Sequence, residues 1–185
     1  MQKIIFLDRD GVINQDREDY VLSEKQMVLL PNAGKAINLL NERGYAVYVV
    51  TNQSIVGRQM ISKTKLNEIH KTLEKQLSFY HAKISGYYIC YHTPQDNCFC
   101  RKPKPGLLIK ARKELGISAR ERIYFIGDKI SDIITAKRAH FYGIKVRSNL
   151  AQNNLDSNTQ ALSVKIKEYN NLYHAVKVLL QKNLL

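Results

Sequence analysis

The chain has 185 residues, 44% of them hydrophobic and 24% charged, the size and mix of one ordinary soluble globular domain. That composition excludes a disordered tail, a collagen-like repeat and a coiled coil, and no apolar run approaches the roughly 18 residues of a membrane span. A formal net charge of +13, from 29 Lys+Arg against 16 Asp+Glu, points to an anionic partner or to a basic, solvated surface, because the charges are spread along the chain.

In chain order, residues 4–7 read as a short buried strand, too short for the apolar core of a signal peptide, so a cytoplasmic protein is expected. Ala33, Ala36, Ile37 and Leu40 recur at the spacing of one helix face, with Gly44 placed to end that helix. Residues 45–50 read as the next strand. Ser62 is positioned to cap a helix whose Leu66, Ile69, Leu73 and Leu77 share a face. His70 and His81 are assigned to the surface or edge of that helix. A strand near 87–90 precedes a loop rich in Cys, Pro and Asn. Residues 105–115 read as a helix with proline at its start and Gly116 just past its end. Residues 123–126 read as a strand, 131–139 as a helix, 144–146 as a strand and 169–180 as a closing helix. The stretch 148–160 is the most loop-like, and no repeat or linker divides the chain. Strands alternating with helices predict one α/β domain over residues 1–185, a parallel sheet flanked by helices. Ligands then sit beyond the carboxyl ends of the strands.

The residues at those ends are chemically selected. Asp8-Arg9-Asp10-Gly11 follows the first strand, Thr51-Asn52-Gln53-Ser54 the second, and Gly127-Asp128-Lys129 the strand at 123–126. Lys102 stands in Arg101-Lys102-Pro103-Lys104-Pro105-Gly106, just before a helix. There is no Walker loop and no GxGxxG, so nucleotide use is not signalled. Asp8 and Asp10 repel unless a cation lies between them. With Asp128 they suit Mg²⁺, an ion that keeps waters and a substrate phosphate. One carboxylate can attack phosphorus; the other can protonate the leaving alkoxide and later deprotonate water. Thr51, Lys102 and Mg²⁺ then balance charge on the equatorial oxygens.

Cys90-x-His92-x₅-Cys98-x-Cys100 uses every cysteine in the chain. An odd count packed this tightly, without an export signal, argues metal over disulfides. Three thiolates and one imidazole match a closed tetrahedral zinc site. The spacing is not that of a DNA-reading finger, which separates its ligand pairs by about 12 residues. Zinc here is expected to fold the loop and aim Arg101 and Lys102.

Asp8-x-Asp10-Gly11, Thr51, Lys102 and Gly127-Asp128 resemble the four motifs of haloacid-dehalogenase-superfamily phosphatases, a likeness that covers residues 3 to about 147 and implies a Rossmann-like fold. The resemblance implies Asp8 as nucleophile, Asp10 as acid/base, and Mg²⁺ on the Asp8 and Asp128 side chains and the Asp10 main-chain carbonyl. Asp132, one helical turn after Asp128, has two readings: a partner behind this site or a surface helix cap. Cys-x-His…Cys-x-Cys-Arg-Lys-Pro narrows the resemblance to two groups, heptose-1,7-bisphosphate 7-phosphatases and the phosphatase domains that act on histidinol phosphate. Asp8 to Asn14, Tyr20-Val21, Thr51 to Ser54, Arg101 to Gly106 and Gly127 to Lys129 favour the heptose group. That implies substrate recognition by Arg101, phosphoryl contacts from Thr51 and Lys102, and a pocket lined by Asp16, Asp19, Tyr20, Asn52, Gln53, Ser54 and Lys129. Arg58 would reach a distal phosphate. Ile55 and Gln59 depart from the pattern, which has glycines there, and restrict the backbone of that loop.

Thr51 and Lys102 are separated by one helix, one strand and one loop of ordinary length. No separate cap domain fits, so loops choose the substrate and the site is open. The expected partner is a small phosphorylated sugar, the expected state a monomer. Nucleic acid is not expected, because no basic stripe is interleaved with aromatic residues. A nucleic-acid 3′-phosphatase and a non-catalytic zinc-stabilised binding module remain as rivals from other classes.

Overall fold

The buried side chains of the first strand alternate between two layers: Ile5 and Leu7 pack into one, Ile4 and Phe6 into the other. A strand buried on both faces belongs in the middle of a helix-covered parallel sheet. The computed structural model describes residues 2–147 and 168–185, and the loop expected at 148–160 lies outside them. The elements are β1 (Lys3–Leu7), α1 (Ala33–Glu42), β2 (Tyr45–Asn52), α2 (Ser54–Gly57), α3 (Lys63–Ser78) and β3 (Gly86–Cys90), then α4 (Gly106–Glu114), β4 (Tyr124–Gly127), α5 (Ile130–Arg138), β5 (Tyr142–Val146), β6 (Glu168–Tyr169) and α6 (Leu172–Gln181).

The sheet runs β3-β2-β1-β4-β5-β6, and its strands pair in parallel. From β1 the chain moves outward through β2 to β3, then returns to lay β4 on the other side of β1. The connections leaving β1 and β4 therefore diverge, and the crevice of a doubly wound sheet opens between them. Leu7 is in register with Ile126, and the Asp8 amide donates to the Ile126 carbonyl at 2.9 Å. Both strand ends thus deliver their next residues to one place.

One face of the sheet is covered by α1, α3 and α6, through Ile37 and Leu40, Ile69 and Leu73, and Val176 and Leu179. The other carries Leu107, Leu108 and Ala111 of α4 and Ala136 of α5. There the Phe6 ring stacks on Phe141, with centroids 5.6 Å apart.

The expected helix punctuation is present. Gly44 and Gly116 adopt φ of 80° and 62° just past α1 and α4, a conformation that costs a side-chain-bearing residue about 1–2 kcal/mol. Ser62 caps α3 by accepting the Lys65 amide at 3.0 Å. The closing helix starts at Leu172, not 169, because Glu168 and Tyr169 pair with β5 as a sixth strand. Two further details correct the sequence reading. The short helix α2 follows β2 directly, and His70 is buried, only 4% exposed. His81 is exposed, as expected.

Gln59, where the family pattern has glycine, sits at φ 59°, while Ile55 is buried. The glycine at the Gln59 position therefore has a backbone reason. Gln59→Gly is expected to raise stability by about 0.5 kcal/mol, and Gln59→Val to lower it by about 1 kcal/mol. Urea unfolding midpoints read both signs.

Candidate active site

Asp8 stands one residue beyond β1, Asp128 one beyond β4, and Asp132 reaches them from the first turn of α5. Ligand atoms of the three carboxyls all lie within 4.8 Å of one another, and all three residues are buried. Lys102, from the loop before α4, supplies the compensating charge. Its Nζ lies 2.8 Å from Asp8 Oδ2 and 2.6 Å from Asp132 Oδ1, and donates to the Val50 carbonyl. Asn52 fixes the Lys102 backbone in both directions: its Nδ2 donates to the Lys102 carbonyl, and its Oδ1 accepts the Lys102 amide. Position 127 must be glycine, because a Cβ there would run into the Asp132 side chain. Asp132 also accepts the Lys129 amide at 3.0 Å. It caps α5 and backs the site at once, and it does so buried rather than on the surface.

The Lys102 ammonium, with Lys129 acting on Asp128 from the next residue, still leaves three carboxyls short of positive charge. Both oxygens of Asp128 are buried without a hydrogen-bond partner among the described residues, and a buried carboxyl in that state calls for a compensating group such as an ion or water. Burial, reinforced by the neighbouring Asp8, pushes Asp128 up to about 7. Burial also lifts Asp8 to about 6, against the pull of Lys102. A cluster that retains protons for want of cations fits a divalent ion, and an all-oxygen donor set fits Mg²⁺.

Asp10 faces the opposite environment. Its carboxylate accepts from Arg9 Nε at 3.1 Å, Arg9 Nη2 at 2.8 and 2.9 Å, Asn14 Nδ2 at 2.8 Å and Gln53 Nε2 at 2.8 Å. Burial opposes its charge, but the Arg9 guanidinium and these donors outweigh burial and hold Asp10 below the ordinary carboxyl range. Gln53 Nε2 also lies 2.9 Å from Thr51 Oγ1, so its amide serves the acidic residues as well as the pocket. Arg9 and Asn14 were not anticipated as site residues. Arg9 has no sequence signal beyond standing between two aspartates.

A cavity of about 880 Å³ opens over this cluster and brings together Asp8, Asp10, Thr51, Lys102 and Asp128 with Asp16, Tyr20, Asn52, Gln53, Ser54, Arg58, Arg101 and Lys129. Asp19 does not line it. Its side chain turns to solvent and pairs with Arg17 at 2.8 Å. Lys129 Nζ meets Asp16 Oδ2 at 2.8 Å, tying the loop after β1 to the loop after β4. Lys145, Arg147 and Glu168 complete the wall from β5 and β6, residues whose position follows only from the sheet order.

The four predicted sulfur and nitrogen ligands converge. Cys90 Sγ lies 3.7 Å from both His92 Nδ1 and Cys98 Sγ, and Cys100 Sγ lies 3.3, 3.4 and 3.2 Å from Cys90, Cys98 and His92. Thiolates about 2.3 Å from a tetrahedral metal stand about 3.8 Å apart, so this cluster is the shape of a four-coordinate site. Arg101 Nη1 donates to the His92 carbonyl at 3.2 Å, which anchors the residue before Lys102 to the cluster.

The sequence model for haloacid dehalogenase-like hydrolases matches residues 2–140. The chain belongs to this family. A Neisseria meningitidis protein named D-glycero-beta-D-manno-heptose-1,7-bisphosphate 7-phosphatase is 39% identical over 131 residues, 71% of this chain and 70% of that one. The Helicobacter pylori protein of the same name is 36% identical over 152 residues, 80% of this chain and 82% of its own length. The crystal structure of D,D-heptose 1,7-bisphosphate phosphatase from B. bronchiseptica, complexed with magnesium and phosphate, superposes with a TM-score of 0.85 at 29% identity, covering 97% of this chain and 99% of that one. Among the described residues, no helix is long and apolar enough to cross a membrane.

Asp8 and Asp128 bind protons more tightly in the folded chain than in the unfolded one, where the ordinary value is 3.8. Metal-free stability is therefore greatest below about pH 4 on this account and falls as pH rises through about 6 and 7. The thermal midpoint of metal-free protein is expected to drop between about pH 5 and pH 8. Mg²⁺ should raise it more at the higher pH. Asp128→Asn should raise the metal-free midpoint at that pH and abolish the Mg²⁺ shift, both read by calorimetry.

Proposed function

We propose that this phosphoric monoester hydrolase removes the 7-phosphate of D-glycero-β-D-manno-heptose 1,7-bisphosphate in the cytoplasm, as a monomer, supplying heptose for surface glycans such as lipopolysaccharide core or S-layer. The observation that carries the chemistry is the buried Asp8 carboxylate. Lys102 holds one of its oxygens, Asp128 stands beside it unpartnered, and the cavity opens above. The substrate rests on the named relatives.

In this reading Asp8 attacks phosphorus, the bond from phosphorus to the C7 oxygen breaks, and Asp10 gives its proton to the leaving alkoxide. Water then attacks the aspartyl phosphate, Asp10 takes the water's proton, and phosphate leaves as the Asp8 carboxylate is restored. Arg9, Asn14 and Gln53 keep Asp10 ionised before substrate enters; an incoming phosphate dianion opposes that ionisation, so Asp10 takes up a proton from solvent as substrate binds, and this is the proton the first step transfers. Lys102 and Thr51 hold the transferred phosphoryl group. Asp8, Asp128 and the Asp10 main-chain carbonyl would hold Mg²⁺, which supplies charge stabilisation to the phosphoryl oxygens.

The cavity wall favours a bisphosphate over histidinol phosphate. Arg17, Arg58, Arg101, Lys129, Lys145 and Arg147 line it against Asp16, Glu18 and Glu168, with Lys129 paired to Asp16 and both Lys145 and Arg147 to Glu168. A second phosphate gains from that excess of cations, whereas the primary amine of histidinol phosphate is repelled by it. Asp16, Tyr20, Asn52, Gln53 and Ser54 would line the sugar. Asp19 would act only by holding Arg17.

Phosphate release by the Mg²⁺-loaded protein is the test. Heptose 1,7-bisphosphate is expected to exceed histidinol phosphate in kcat/KM by about 10²-fold or more, with the β anomer ahead of the α. Asp8→Asn should lower turnover by about 10³-fold or more. A lead for histidinol phosphate would overturn the substrate reading, and an active Asp8→Asn the mechanism.

Cys90, His92, Cys98 and Cys100 hold zinc in this reading, and the loop serves Arg101 and Lys102 rather than redox chemistry. Purified protein is expected to carry one zinc per chain by elemental analysis. Cys98→Ser should lose it and lower both the thermal midpoint and kcat/KM, because Lys102 follows the cluster directly.

A further inference from the structure

We propose that His70, on the buried side of α3 and outside the cavity, is a positioning residue for the reaction: it holds the Arg9 guanidinium from behind, and Arg9 sets the Asp10 carboxylate. The inference rests on the reading above that Asp10 transfers the proton.

Arg9 is 1% exposed, the largest fully buried side chain among the described residues. Its Nε and Nη2 fork onto Asp10. That leaves Nη1, which lies 3.0 Å from His70 Nε2. A guanidinium has no lone pair to offer, so His70 Nε2 is the acceptor and the ring proton is on Nδ1. Burial, and then the charge of Arg9, keep the imidazole neutral by pulling it down to about 3. The ring is also fixed in its plane. It lies flat on Tyr87 of β3, centroids 4.4 Å apart and planes 3° from parallel.

The chain Tyr87–His70–Arg9–Asp10 therefore runs from the sheet edge to the cavity. Neither His70 nor Tyr87 lines that cavity, so substrate contact does not account for a histidine there. Without His70, a fully buried Nη1 has no partner, and such a donor moves to find one. Any rotation that frees it lifts the fork from Asp10. Proton transfer to a leaving oxygen tolerates little of this, because about 1 Å of misplacement costs about 10²-fold in rate.

The test compares heptose 1,7-bisphosphate, whose alkoxide needs a proton, with p-nitrophenyl phosphate, whose leaving group does not. His70→Leu is expected to lower kcat on the bisphosphate by about 10- to 100-fold, with KM nearly unchanged. On the aryl phosphate it should lose much less. His70→Gln, whose carbonyl oxygen reaches Arg9, should keep most of the rate; His70→Asn, too short to reach, should not. This second pair carries the comparison if His70→Leu does not fold. In wild-type protein, the imidazole ¹⁵N shifts should show Nε2 bare.

Equal losses on both substrates in the His70 variants, a Gln variant no better than Asn, or a protonated Nε2 would each overturn the proposal. Asp10→Asn separates the two levels. If it shows the leaving-group dependence and His70→Leu does not, only the inference falls. If Asp10→Asn loses equally on both substrates, the proton-transfer reading falls and takes the role of His70 with it.

Discussion

One buried ammonium holds three pieces of the chain together. Lys102 touches Asp8 at the end of β1, Asp132 in the first turn of α5 and the Val50 carbonyl in β2. Removing either partner from such a buried pair leaves an uncompensated charge, at a cost of about 3–5 kcal/mol. Much else in the structure serves this contact. Asn52 grips the Lys102 backbone from both sides, the cysteine cluster anchors Arg101 just before it, and Gly127 leaves room for the Asp132 carboxyl.

The same charge shortage separates the two aspartates of Asp8-Arg9-Asp10. They are two residues apart, Asp8 buried and Asp10 half-buried, yet burial drives Asp8 up to about 6 while Asp10 is held down. The difference is who faces them. Asp8 shares its surroundings with Asp128 and Asp132, so charge on one resists charge on the next. Asp10 faces a guanidinium and two amides, and its ionised form is the better partner. A pair of carboxyls with opposed environments is the arrangement that lets one attack and the other move protons.

Much of this was legible in the chain. Asp8 and Asp128 follow apolar strands and Thr51 stands at the end of one, and a strand end is a local feature; parallel topology then converts three local features into one site. Cys90, His92, Cys98 and Cys100 lie within one loop, so spacing alone announces their convergence. His70 was misread although a signal existed: it is four residues after Leu66 and three before Leu73, on the face of α3 that packs inward. A polar residue in that pattern is ordinarily discounted, because burying it requires a partner that sequence cannot name. Asp132 was half read, its capping role being local and its contact with Lys102 being 30 residues away in the chain.

By itself the sequence determined the alternation of strands and helices, the residues at the strand ends and the Cys/His loop, because hydrophobic period, capping chemistry and the spacing of those four residues are all short-range. Only the tertiary structure decided which charged and polar groups face one another. Arg9 and His70 meet across 61 positions, Lys102 and Val50 across 52, and Lys129 and Asp16 across 113. Proton affinity depends on such neighbours at a few ångströms and on the water excluded around them. No local pattern carries that information until the sheet has closed.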